Sequence, residues 1–164
     1  MGPRFCSLIF AALLVSGVSS AAGDDSDPSD QAGAADPAIA AFERAKAQND
    51  WPQAAAVMRD ALKRAPENAN YHNRYAFALR KSPNPNMDLV FKHYGEALRL
   101  KPEHRGAHEY IGEAYLMVSN LPKAKEHLAA LDGICLFGCE EYDDLKEAVE
   151  AYEERGQTPV DKSK

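Results

Sequence analysis

Residues 103–131 most strongly constrain the fold, because they predict two amphipathic helices joined by a tight turn at residues 119–122. Apolar residues recur at three- and four-residue intervals on both sides of that turn, as they do on one face of a helix. Two weaker copies of the pattern precede it, at residues 37–66 and 69–102. The chain therefore predicts a repeated helix pair, which buries its apolar faces by stacking on its neighbours.

Three positions in the second half of each unit support this alignment. They recur with the same spacing at intervals of 36 and 34 residues, and small or apolar residues dominate them. They are Ala54, Ala61 and Pro66 in the first unit, Val90, Ala97 and Pro102 in the second, and Ala124, Leu131 and Leu136 in the third.

A period near 34 residues built from helix pairs resembles the tetratricopeptide repeat (TPR) family. Gly112 and Ala124 stand where two crossing helices leave little room, whereas His72 and His108 replace the family's usual Trp. The resemblance implies an all-α, right-handed superhelical stack of helix-turn-helix repeats over residues 37–156. Its units are 37–66, 69–102 and 103–132, and a capping helix at 139–155 covers its end. The third unit fits best, at Ile111, Gly112, Tyr115, Ala124, Leu128 and Leu131.

The residues at the two ends of the chain are not predicted to belong to this stack. Residues 1–22 have one basic residue, Arg4, then a short apolar run and small residues, which is the layout of a secretory signal peptide. The run is shorter than the roughly 20 residues of a membrane span, although an uncleaved anchor is the alternative. Residues 23–36 predict a disordered acidic linker and residues 157–164 a flexible tail. We therefore expect a periplasmic or secreted protein without stable membrane insertion, and the chain's ending also resembles small exported bacterial TPR proteins.

Charge and motifs exclude several classes of function. The chain has 19 basic and 25 acidic residues, a net charge of −6, which disfavours binding to nucleic acids. It has no nucleophile elbow, no glycine-rich phosphate loop and no C-x-x-C-H haem motif. We therefore expect neither an enzyme nor a bound cofactor.

Two cysteines in the third unit's closing loop offer the only distinctive chemistry. Cys135 and Cys139 form a C-x3-C pair, whereas Cys6 leaves with the signal peptide. A structural disulfide, a redox-active dithiol and a copper or zinc site are all open to such a pair. His104 and His108, four residues apart on one helix face, have the spacing of metal ligands, but the sequence predicts no metal site from them.

The TPR resemblance implies a binding surface. In that family the first helix of each pair lines a concave face, which usually docks an extended or helical peptide. Phe77 and Met117 are the predicted apolar anchors, and the basic side chains that clamp a carboxylate in chaperone-binding members are not arranged on this chain. The predicted surface comprises Asn70, Asn73, Phe77 and Arg80, together with Glu109, Glu113, Leu116 and Met117.

The sequence thus predicts an exported scaffold or assembly factor that binds an unidentified protein or peptide. The alternative is a metal or thiol-redox accessory protein that uses the C-x3-C pair. Self-association through the open N-terminal end of the stack is also left open.

Overall fold

The computed structural model describes residues 36–157, and these residues form seven α-helices. The prediction of an all-α stack of TPR-like helix pairs is confirmed. The helices are α1 (Pro37–Ala47), α2 (Trp51–Arg64), α3 (Ala69–Lys81), α4 (Met87–Leu100), α5 (Arg105–Met117), α6 (Leu121–Ile134) and α7 (Glu140–Gln157).

A polar residue starts each of the first six helices. Its side chain accepts a hydrogen bond from a backbone N–H of the first turn, which would otherwise lack a partner. The Tyr71 hydroxyl also donates to Asp36, so the start of α1 is tied to α3. The capping residues are Asp36, Asp50, Asn68, Asn86, His104 and Asn120.

The first and third units turn in the same way. Asn49 and Ser119 precede the second helix with φ of 55° and 60°. The next residues, Asp50 and Asn120, donate their backbone N–H to the carbonyl five residues earlier, at 2.9 and 2.8 Å. Equivalent sequence positions therefore build equivalent turns, whereas the second unit has a longer turn.

The packing of the helices makes the stack curve. Each helix packs on the next one, and the first helices of successive pairs also contact one another, α1 with α3 and α3 with α5. The second helices α2, α4 and α6 do not contact each other comparably. The first helices therefore line the inner, concave side. Helix α7 packs on α5 and α6, in the place of a fourth first helix.

The aligned positions of the second helices form the core. Ala54, Ala61, Val90, Ala97, Ala124 and Leu131 are all fully buried, as the repeat alignment predicts. Leu136, aligned with the closing prolines, instead lies in the cysteine loop and is 79% exposed. The repeat pattern of the third unit therefore ends at Leu131.

Gly112 lies where two helices come close together, and these helices are α5 and α7. A Cβ atom on Gly112 would lie 2.6 Å from Leu145 Cδ2, which is too close for any real contact. The absence of a side chain at this position therefore allows α7 to dock on α5.

The structure covers several of the predicted segments only in part. Helix α7 spans Glu140–Gln157, where the sequence predicts a capping helix at residues 139–155. The predicted signal peptide and nearly all of the acidic linker lie outside the described residues, as does most of the flexible tail. Within residues 36–157 no helix is long and apolar enough to cross a membrane.

Candidate functional site: the concave groove

The concave side holds a cavity of about 120 Å³, which we call the groove pocket. Residues on α1, α3, α5 and α7 line it, together with His104 at the start of α5. The pocket thus depends on the stacking of all three units and the last helix. Its lining residues are Phe42, Glu43, Lys46, Asn73, Arg74, Phe77, His104, Gly106, Glu109, Tyr110 and Glu141.

The structure divides the predicted binding residues among three places. Asn73, Phe77 and Glu109 line the groove pocket. Asn70 lies apart, beside the loop between α2 and α3. The remaining four line a second depression against α7, which we call the C-terminal depression: Arg80, Glu113, Leu116 and Met117.

Phe77 is the aromatic centre of the groove pocket. Its ring centroid lies 4.8 Å from that of Tyr110 and 5.7 Å from that of Trp51. The charged groups of Lys46 and Arg80 lie 5.7 and 5.5 Å from the ring centroid, within cation–π range. An apolar surface flanked by charges is thus available on the inner face.

Ion pairs connect the successive helices of the concave face. Arg74 of α3 reaches Glu43 of α1 at 3.7 Å. Arg105 of α5 reaches Glu141 of α7 at 3.5 Å. These pairs are partly exposed, so each contributes at most about 1 kcal/mol to stability. The carboxylates of Glu43 and Glu141 are nevertheless each paired with a cationic side chain.

Arg80 and Glu113 form an ion pair with each other. Their side chains meet at 2.5 Å, and Arg80 is only 8% exposed. Burial disfavours the charge of Arg80, but Tyr94 and Glu113 together hold its pKa above the ordinary value. The pair therefore bridges α3 to α5 at the C-terminal depression.

Glu109 differs from the other carboxylates of the groove. It is only 6% exposed. Burial, and then the carboxylates of Glu113, Asp144 and Glu141, raise its pKa to about 9. Glu109 therefore holds a proton at neutral pH.

Asn73 lines the same pocket and is also 6% exposed. Its side-chain oxygen has no hydrogen-bond partner within the described part of the chain. Its amide nitrogen would lie 3.4 Å from a Cβ atom on Gly106, so the glycine leaves space beside it. A buried amide oxygen without a partner is costly unless a ligand satisfies it.

Some residues of the groove pocket were not predicted from the sequence, although the repeat spacing identifies them. Glu43 and Lys46 lie 34 residues before Phe77 and Arg80, so the same stripe simply continues into the first unit. Glu141 was not predicted, because α7 was predicted only as a capping helix. In the structure, α7 forms a wall of the groove and Glu141 lines the pocket.

Two histidine pairs repeat from the second unit to the third. Nδ1 of His72 lies 2.8 Å from Nδ1 of His93, and the corresponding atoms of His108 and His127 lie 2.9 Å apart. Nε2 of His72 and of His108 lies 2.8 Å from the carbonyl of the proline closing the preceding unit. His108 is thus a buried packing residue, and His104 caps α5.

The structure joins Cys135 and Cys139 in a disulfide, with Cα atoms 5.7 Å apart. Leu136 and Phe137, between them, are exposed at the tip of the loop. Across residues 36–157 no group of three or more His, Cys, Asp or Glu residues is placed to hold a metal ion.

Comparison with known proteins bears on the fold. No protein-family model and no curated protein sequence matches this chain. Among solved structures, the chain is similar to the TPR2B domain of yeast Sti1, determined as a complex with pHsp70. The identity is 20% and the TM-score 0.64, over 72% of this chain and 94% of that one. The chain therefore has a TPR-like fold.

Proposed function

We propose that this chain is an exported protein-interaction module, and that its concave groove binds an extended or helical segment of a partner protein. One observation carries the proposal: four helices jointly line a groove that holds an aromatic centre and an unsatisfied buried acceptor, the side-chain oxygen of Asn73. A concave face that binds no ligand would gain nothing from an aromatic surface or an unpaired buried polar group.

The composition of the groove supports this role. Phe77 and Tyr110 offer apolar surface for a side chain of the partner, since aromatic residues contribute disproportionately to binding interfaces. Met117, 53% exposed, offers a second and more adaptable contact in the C-terminal depression. The similar TPR2B domain was determined with pHsp70, which fits a module of this kind.

Export is the second part of the proposal, and the N-terminal sequence supports it. The charged start, the short apolar run and the small residues near position 22 form a signal-peptide pattern. A disulfide between Cys135 and Cys139 suits an oxidising compartment such as the periplasm.

Peptides selected from a random library on the purified protein test the binding role. The double variant Phe77→Ala, Met117→Ala removes both apolar anchors, and we expect it to bind the selected peptides roughly tenfold or more weakly in fluorescence anisotropy. Phe137→Ala is the matched control, since this exposed aromatic ring lies outside the groove. Equal binding by the double variant, with an unchanged circular dichroism spectrum, would contradict the assignment.

A further inference from the structure

The groove pocket has two buried polar side chains, and the acceptor of one of them has no partner. Glu109 and Asn73 are each 6% exposed and line the same cavity from neighbouring helices. The amide oxygen of Asn73 has no hydrogen-bond partner among residues 36–157. Buried polar groups are nearly always paired, so an unpaired acceptor at a cavity indicates a ligand that supplies a donor.

The surrounding charges favour a cation as that ligand. The basic groups beside the pocket already have acidic partners: Lys46 and Arg74 lie 3.7 Å from Glu43, and Arg105 lies 3.5 Å from Glu141. Arg80, which lines the C-terminal depression, contacts Glu113 at 2.5 Å. Glu109 lines the groove pocket, and none of these ion pairs includes it.

We propose that the groove pocket binds a lysine or arginine side chain of the partner segment, with Glu109 and Asn73 as its acceptors. This inference rests on the proposed peptide-binding function and specifies the chemistry of one partner residue. An ammonium or guanidinium group carries only donors, so it satisfies both acceptors at once.

The walls of the pocket suit the rest of such a side chain. The rings of Phe77 and Tyr110 lie 4.8 Å apart and offer an apolar surface to a methylene stem. A bound cation close to these rings also gains cation–π attraction. Gly106 has no side chain to fill the cavity, whose volume of about 120 Å³ accommodates the end of one long side chain.

Binding of a cation is coupled to a proton. Burial and the carboxylates of Glu113, Asp144 and Glu141 hold the pKa of Glu109 near 9, while Arg80 acts in the opposite direction. The neutral acid must lose its proton to pair with the ligand, and that proton goes to solvent. Affinity for an arginine side chain, which stays charged throughout, should therefore rise with pH up to about 9, by at most roughly tenfold per pH unit.

The probes are blocked pentapeptides of glycine and alanine that differ only at the central residue: lysine, arginine, norleucine or glutamate. Norleucine is the matched control, because it keeps the stem of lysine and removes the charge. Backbone amide shifts of the ¹⁵N-labelled protein report each titration. We expect the lysine and arginine peptides to shift Gly106 and Glu109, and the norleucine and glutamate peptides to bind roughly tenfold or more weakly.

Glu109→Gln separates the charge from the shape of this side chain. We expect the variant to lose both the preference for basic peptides and the pH dependence of arginine-peptide binding. Equal binding of the lysine and norleucine peptides, or an unchanged preference in Glu109→Gln, would overturn the inference.

Library-selected peptides distinguish this inference from the proposed function. If they bind in the groove without any basic residue, only the inference of a cation pocket fails. If neither they nor the pentapeptides bind in the groove, the proposed function fails with it.

Discussion

The Nδ1 atoms of His108 and His127 lie 2.9 Å apart and join α5 to α6 within the third unit. A carbonyl can only accept, so Nε2 of His108 carries a proton and donates it to the Pro102 carbonyl. Nδ1 of His108 is then the acceptor, and His127 donates to it. His72 and His93 repeat the arrangement in the second unit, so the accepting ring of each pair, His72 or His108, must be neutral.

Acid should destabilise the fold by charging these buried rings. Burial, and then the partner histidine, lowers the pKa of both His93 and His127 from 6.5 to about 4. The unfolded chain therefore binds more protons than the folded one between pH 6.5 and pH 4, and stability falls as pH decreases through that window. We expect a loss of about 1 kcal/mol per histidine after allowance for solvent screening, measured by urea unfolding.

The double variant His93→Gln, His127→Gln is the control for the titrating carboxylates. At pH 7 it should be less stable, because His72 and His108 lose their partners. Its stability should change less between pH 6.5 and pH 4 than that of the unmodified protein. The same slope in both proteins would show that groups other than these histidines cause the acid sensitivity.

Glu109→Gln should stabilise the protein. The folded state keeps a proton on Glu109 between pH 4.5 and about 9 that the unfolded chain releases, so the wild-type side chain costs stability as pH rises through that range. Glutamine keeps the shape of the neutral acid and does not titrate. We expect a gain of about 2 kcal/mol at pH 7, and little difference at pH 4, in urea unfolding.

Glu113→Gln, one helical turn away, is the matched comparison with the opposite sign. It removes the carboxylate that faces the buried Arg80 at 2.5 Å, which should cost about 1–3 kcal/mol at pH 7. Destabilisation by both substitutions would instead mean that the Glu109 carboxylate stabilises the folded chain, and the cation pocket would lose its main support.

Gly112→Ala should destabilise the docking of α7 on α5. The added methyl group meets Leu145, and the strain should exceed the better helix propensity of alanine, for a net loss of about 1–2 kcal/mol. Leu145→Ala alone should cost about 2–5 kcal/mol, because Leu145 is fully buried.

A double-mutant cycle connects the two positions. Alanine at 112 partly fills the cavity left by Leu145→Ala, so the double variant should be more stable than the sum of the single losses by about 1 kcal/mol. Gly95→Ala is the control, since a Cβ there has no neighbour within 4 Å and should stabilise α4. Additive losses at Gly112 and Leu145 would argue against direct contact.

Removal of the cysteine pair should affect stability and leave peptide binding intact. Cys135→Ser with Cys139→Ser opens a short loop, for which chain entropy predicts a loss of about 2 kcal/mol. Urea unfolding with and without reductant measures that loss, and a free-thiol assay checks the oxidation state of the purified protein. Free thiols with a stoichiometric copper or zinc ion would instead favour an accessory role.

The helix pairs were predictable from sequence because helical periodicity and turn chemistry are local. The αL residues Asn49 and Ser119 and the buried alanines at 54, 61, 97 and 124 follow directly from the repeat. The groove was predictable in part, since Asn73, Phe77 and Glu109 lie on one stripe per helix.

Interactions between helices were not predictable in this way. The partner of His108 is 19 residues away on another helix, and only the packed geometry selects it. Likewise, the sequence predicts Arg80 and Glu113 as separate recognition groups, whereas the packing of α3 against α5 brings them into contact. The role of α7 as a groove wall depends on its docking against Gly112, which no local pattern specifies.

Peptide binding in the concave groove is tested most directly by a map of backbone amide shifts in the ¹⁵N-labelled protein on titration with a library-selected peptide. We expect the largest shifts on α1, α3, α5 and α7, around Phe77, Glu109 and Glu141. Largest shifts on α2, α4 and α6, or in the loop of residues 135–139, would contradict binding in the groove.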